Sequence, residues 1–310
     1  MYRKFFILSV LLCLGLFFAP QANAQSLKMN LNAIYPASNF HTQGAVEFGE
    51  LVEEYTGGDI KITVHSGGSL GFKGEELLKA VNDASVPMSD ILMGVVSGSE
   101  EIFGLSTYPR IVSSYEEARK FYEAALPYYQ KACQRWNQKL LYAAPWPPSG
   151  LFTQNRVDSI EDIDGLKTRT YDKNGAKFLR KAGGSPQSMP WGEVYSALNT
   201  GLIDSVLTSA TSGKDGKFWE VLDHFTNVNF AYPLNMVTIN LDYWNSMSED
   251  QQEAMLRAAR ETEKAQWEAS RKSNRDSLEA IEENGIQITE VNEKFGKKLD
   301  KIAEKIFQEF

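Results

Sequence analysis

Short apolar or alternating runs and longer stretches of helical period succeed one another along this chain. Positions 28–35 read as a strand, and 41–55 as a helix carrying Ala45, Phe48, Val52 and Tyr55 on one face. Polar and apolar residues alternate over 59–65 before the turn signal Ser66-Gly67-Gly68. Residues 75–82 read as helix, 89–96 as a buried strand, and 115–138 as a long helix leading to the apolar strand 140–144. This β-α-β-α-β order predicts parallel strands with helices on both faces.

At Trp146-Pro147-Pro148-Ser149-Gly150 the pattern breaks and a second α/β unit begins. Strands are expected at 166–170 and 203–208, helices at 173–182 and 191–199, and a strand crossing back at 232–241. Ser248 then opens a helix reaching about Glu283, with Gln251 completing a capping box. Its roughly 36 residues would span about 54 Å. One small domain has no use for that length, so the helix is expected to bridge two.

The N-terminus sets the compartment. Arg3 and Lys4 precede an apolar run ending at Pro20, and Ala22-Asn23-Ala24 offers a small-x-small cleavage site before Gln25. Residues 1–24 therefore read as a secretory signal peptide, and Cys13 lies within its apolar part. Their removal takes away two basic residues and lowers the formal charge of −8 to −10. So acidic a surface argues against nucleic acid and anionic lipid as partners. Cys133 is then the sole cysteine, so the fold must rest on its core without an intrachain disulfide.

Catalytic chemistry is sparse. His41, His65 and His224 are not spaced for a zinc site, and no cofactor or phosphate-loop motif is present. Gly67-Gly68-Ser69-Leu70-Gly71 matches G-x-S-x-G after an expected strand. A secreted serine hydrolase built on Ser69, with His224 in a permitted order, is thus one reading. The alternative is that the glycines simply suit a tight connection, and no exposed active-site loop surrounds His224.

The informative stretch begins with Ile160-Glu161-Asp162-Ile163-Asp164-Gly165-Leu166-Lys167-Thr168-Arg169. Gly183-Gly184-Ser185-Pro186 follows, then Glu193-Val194-Tyr195-Ser196-Ala197-Leu198-Asn199-Thr200-Gly201 with Asp204, then Lys217-Phe218-Trp219-Glu220-Val221. This ordered set resembles the solute-binding (DctP) family of TRAP-type, tripartite ATP-independent periplasmic transporters. The resemblance implies a two-lobed α/β periplasmic-binding-protein-like fold with strand crossovers and a long helix spanning both lobes. Lobe I would comprise 25–147 plus 234–273, and lobe II 148–233 plus 274–310. It further implies a periplasmic, non-enzymatic protein without cofactor, monomeric as is the family default, and no residue is assigned to a metal. Such a protein hands a small organic acid to small and large membrane subunits for uptake driven by an ion gradient. A ligand-sensing protein feeding a receptor kinase would use the same fold.

The same resemblance assigns Arg169 to the ligand's carboxylate, a role suited to a planar fork that keeps its charge when desolvated. Trp191 and Thr208 fall on ligand-facing positions, and Asn235 on the returning strand is a further candidate. Glu193, Tyr195, Leu198 and Asp204 are expected to be scaffold. Sugar-acid binders of the family carry charged groups where this chain has Phe72, Val95 and Gly98, and some carry a second arginine at Gly150. Without those partners a polyhydroxylated ligand is disfavoured. Trp146, Trp191, Phe72 and Phe40 could instead stack a flat ring. The expected ligand is thus an aromatic (indole or phenyl) or otherwise apolar carboxylate, with a small aliphatic hydroxy or oxo acid, or a sulfonate, as the alternative.

Overall fold

The computed structural model describes residues 26–309, and the signal peptide expected at 1–24 lies outside them. Among these residues the first strands are β1 (Leu27–Asn32), β2 (Ile60–His65), β3 (Met88–Leu92), β4 (Gln138–Pro145), β5 (Ser149–Thr153) and β6 (Lys167–Thr170). Then come β7 (Ser185–Ser188), β8 (Ser205–Ser209), β9 (His224–Asn227), β10 (Leu234–Asn240) and β11 (Gln287–Glu290). They form two sheets, ordered β2-β1-β3-β10-β4 and β11-β9-β5-β8-β6-β7.

In the first sheet β1 pairs in parallel with β2 and β3, and β10 enters antiparallel between β3 and β4. All seven residues of β10 are buried, as expected of a strand with neighbours on both edges and covered faces. The chain leaves this sheet after β4 and returns to it as β10. The two crossing segments are tied to each other by Trp146 N–H to Pro233 O at 2.7 Å and Ser149 N–H to Ala231 O at 3.0 Å. The second sheet is mixed, with β6 parallel to β7 and β8 and β5 antiparallel to β8 and β9.

Two segments depart from the sequence expectation, and both shape the cleft. The strand read at 89–96 stops at Leu92 and tightens into a 3₁₀ turn, Met93–Gly98. A Cβ at Gly94 would come within 2.7 Å of Thr107 Cγ2 and 3.1 Å of Asp172 Oδ2, so the backbone approach needs glycine. The helix read at 191–199 starts as a 3₁₀ turn, Trp191–Glu193, and becomes α-helical over Val194–Asn199. The short strands β5, β7, β9 and β11 and the C-terminal helix Glu293–Gln308 carried no signal used above. β7, with the sequence SPQS, has neither alternation nor an apolar run to betray it.

The long helix runs Glu249–Glu283, capped by Ser248 with the expected Gln251 box. Small buried residues on one face let it lie close against both sheets. Met255, Ala258 and Ala259 enter the core with Met29 and Phe48, while Ile281 enters the core with Phe152, Phe218 and Phe225. Near the second sheet, Thr211 Oγ1 meets the hydroxyls of Ser273 at 2.9 Å and Ser277 at 3.2 Å. Among the described residues no helix is long and apolar enough to cross a membrane.

Candidate functional site

A cavity of about 480 Å³ lies where the two sheets and their crossovers meet. From the first lobe it is walled by Ile34, Tyr35, Leu92, Gly94, Val95 and Trp146. From the second it is walled by Arg169, Asp172, Trp191, Thr208, Ser209 and Ser212.

Arg169 stands on β6, whose neighbour β8 pairs with it through Val206. The strand is fixed at its start by Asp204, which accepts from Lys167 N–H at 3.2 Å and donates its own N–H to Lys167 O at 2.9 Å. Asp204 is thus scaffold within the second sheet. The Arg169 side chain is 4 % exposed, and its Nε and Nη2 donate to Met189 O at 3.2 and 3.1 Å. No hydrogen bond among the described residues engages Nη1, and no described carboxylate forms an ion pair with this arginine. Burial draws its pKa down to about 10, opposed by Tyr35, Tyr171 and Asp172. It therefore remains a cation at neutral pH, hydrogen-bonded to a carbonyl, with Asp172 near enough to favour its charge but not in direct ion-pair contact.

Two carboxyl groups are buried in this region, and Asp172 is the one that acts on Arg169. Burial pushes Asp172 up to about 6, against the pull of Thr107, the Gly175 N–H, Arg169 and Lys173. Asp90 is pushed up to about 7 by burial, against a hydrogen bond from Asn235. Asn235 donates Nδ2 to Asp90 Oδ1 at 2.8 Å and accepts Trp146 Nε1–H at 2.7 Å. This residue therefore orients the Trp146 indole from behind and does not itself line the cavity.

Trp146 also meets Tyr35 edge-on at 4.8 Å and Phe40 edge-on at 5.5 Å. Phe40 is thus a support behind the wall, outside the cavity lining. Phe72 lies away from the cavity as well, packed with Leu70 and Ile34 against the first lobe's core. Of the seven residues proposed from sequence, Arg169, Trp191, Thr208 and Trp146 meet at the cavity, and Asn235, Phe40 and Phe72 do not reach it. Val95 and Gly98 line it, as the sequence comparison of missing charges assumed. A side chain at Gly150 would run into the Phe225 ring at 2.3 Å, so no arginine fits there while Phe225 stays.

Sequence reasoning missed Tyr35, Gly94 and Asp172. Asp172 had a legible signal, since it immediately precedes a helix read at 173–182 and caps it. Ser69 is exposed in the turn after β2, whereas His224 sits on β9 of the other sheet. Gly67 and Gly68 adopt φ of 66° and 67°, the tight-connection reading of that motif. Among the described residues no group of three or more His, Cys, Asp or Glu is arranged to hold a metal ion.

Residues 31–310 match the family model described as bacterial extracellular solute-binding protein, family 7. The chain is similar to a marine metagenome TRAP solute-binding protein specific for pyroglutamate, solved with co-purified pyroglutamate. That likeness has a TM-score of 0.88 and 33 % identity, over 92 % of this chain and 93 % of the other. A Bordetella pertussis extracytoplasmic solute receptor binding pyroglutamic acid superposes with TM-score 0.88 and 28 % identity, over 91 % and 93 % of the two chains. Among curated proteins, the 2,3-diketo-L-gulonate-binding periplasmic protein YiaO of Escherichia coli (strain K12) is 26 % identical over 245 residues, 77 % of this chain and 73 % of that protein.

Proposed function

The chain belongs to the bacterial extracellular solute-binding proteins of family 7, and from that membership we propose that it captures a compact, weakly polar carboxylic acid anchored on Arg169. It is a solute-binding component of TRAP-type transport and not an enzyme. The observation that carries the anchor is a buried guanidinium without an ion-pair partner, facing a cavity. Binding an anion there supplies a direct ion-pair partner to a buried cation, with the fork geometry matching a carboxylate.

The opposite wall argues against a ligand rich in hydroxyls. Ile34, Leu92, Val95, Tyr35 and Trp146 offer mostly apolar surface, so a sugar acid would bury hydroxyls without partners. The two solved relatives above bind pyroglutamate, which supports a five-membered lactam acid as first choice. An indole or phenyl carboxylate is the second reading, favoured by Tyr35, Trp146 and Trp191 around one cavity. A small aliphatic hydroxy or oxo acid or a sulfonate would satisfy Arg169 but leave that aromatic wall unfilled.

In this reading residues 25–147 plus 234–273 and residues 148–233 plus 274–310 act as two lobes that close over the acid. Closure requires that the ligand touch both lobes better in the closed form than in the open one. The loaded protein then docks, in the periplasm, on small and large membrane subunits.

A thermal-shift panel on residues 25–310 tests the ligand class, using pyroglutamate, indole acetate, phenylacetate, malate, glucuronate and an alkyl sulfonate. A ligand at about 100 times its dissociation constant adds roughly 2.7 kcal/mol. Each kcal/mol raises the midpoint by roughly 2–4 °C. The lactam or aromatic acids are expected to shift it. A response confined to glucuronate would overturn the apolar-pocket reading, and no response to any acid would overturn the anchor.

A further inference from the structure

Asp172 carries a carboxylate oxygen whose environment is incomplete. Its Oδ1 accepts Gly175 N–H at 2.8 Å and caps the helix Lys173–Lys181. Its Oδ2 is buried, belongs to a residue lining the cavity, and has no hydrogen-bond partner among the described residues. No neighbouring donor is bonded to it. Arg169 places Nε and Nη2 on Met189 O and leaves Nη1 for an incoming ligand. Lys173 reaches toward Glu101 at 3.7 Å. Thr107, the competing hydroxyl, gives its single hydrogen to Gly104 O at 3.0 Å and accepts from Asn174 at 3.1 Å. On the facing lobe the Gly94 backbone packs closely beside this oxygen, where a Cβ would lie 3.1 Å from it.

A buried acceptor without a donor costs free energy that a bound donor would recover. We infer that Asp172 Oδ2 accepts a ring N–H of the bound acid, so that the site selects carboxylates of the lactam class over isosteric rings lacking the donor. The inference rests on the carboxylate reading above and names the second point of recognition. Arg169 and Asp172 are three residues apart at the end of one strand, so they form a fixed pair of opposite charge on one lobe. Such a pair suits a molecule in which the N–H neighbours the carbon bearing the carboxylate. Burial raises the Asp172 pKa only to about 6, so the oxygen is an ionised acceptor at neutral pH.

Titration calorimetry at neutral pH would compare pyroglutamate with the corresponding lactone acid, in which a ring oxygen replaces the N–H. Wild-type protein is expected to bind the lactam roughly 100-fold or more tightly than the lactone. Asp172→Asn keeps an oxygen for the helix cap and presents an amide donor in place of Oδ2, so it should lose or invert that preference. Asp172→Ser, which retains a capping oxygen but no second one, should bring the ratio close to one, with both variants shown folded by their unfolding midpoints. Equal affinities in the wild type, or an unchanged ratio in both folded variants, would overturn the inference while leaving the Arg169 reading intact. Binding of neither acid would overturn both.

Discussion

The two walls of the cleft are built on different principles. The first lobe offers mostly carbon: Ile34, Leu92, Val95 and the aromatic pair Tyr35 and Trp146, locked edge-on at 4.8 Å, with Glu75 and Ser97 as its polar members. The second offers charge and hydroxyls: Arg169, Asp172, Thr208, Ser209 and Ser212. A charged anchor binds with direction and discriminates between functional groups, whereas an apolar wall discriminates by shape and responds to area. With the anchor confined to one lobe, a ligand can settle there first, and the other lobe then closes on its apolar side. The division also predicts that damage to the two walls will register in different measurements.

The largest effect on stability should come from the first wall. Trp146→Ala removes a side chain 5 % exposed that packs with Tyr35 and Phe40, and should cost roughly 3–5 kcal/mol in urea denaturation. If stability falls by less than 1 kcal/mol while binding is lost, the wall is not the packed unit described here. Next comes its support: Asn235→Leu leaves the Trp146 Nε1–H and Asp90 without their shared partner and should cost about 1–3 kcal/mol.

Asp90 gives a smaller effect with a sign. Its folded-state pKa, about 7, lies above its ordinary value of 3.8, so the folded protein holds the proton more tightly than the unfolded chain. The ionised group therefore destabilises the fold in full above about pH 7, and this penalty fades as pH falls towards the ordinary value. Asp90→Asn should gain stability at pH 8 by chemical denaturation, with the gain shrinking towards pH 4. A pH-independent change would contradict that origin. Smallest is the rim pair between the lobes, Lys73 Nζ to Glu193 Oε1 at 3.2 Å, with both side chains more than half exposed. Lys73→Ala should leave the urea midpoint indistinguishable from wild type.

How much of this could be read in the sequence differed between the walls in the same way. The charged wall sits in one contiguous, motif-bearing stretch, so Arg169 and Trp191 are legible in the sequence. The apolar wall is assembled from segments far apart in the chain, and periodicity does not tell a cleft-facing aromatic from a core one. Phe40, Phe72 and Trp146 looked equivalent in the sequence, yet Trp146 alone among them lines the cavity. Phe40 stands one layer behind it, and Phe72 packs half-buried against the first lobe's core. Asn235 was placed on the correct returning strand, but its amide points to Asp90 and the indole instead of the cavity. The fold followed the same rule. Long periodic elements such as the helix Glu249–Glu283 were legible, whereas four-residue strands such as β7 exist because a neighbour pairs with them.

The account stands on Arg169, and calorimetry of Arg169→Ala with the best acid from the panel tests it most directly. Removing one partner of a buried charge pair costs roughly 2–5 kcal/mol, so binding should weaken from about 30-fold to beyond detection. The ligand-free variant should meanwhile unfold within about 1 kcal/mol of wild type, because the cation it loses had no ion pair to break. A variant that binds the acid as tightly as wild type would contradict the central claim and move the anchor elsewhere in the cleft.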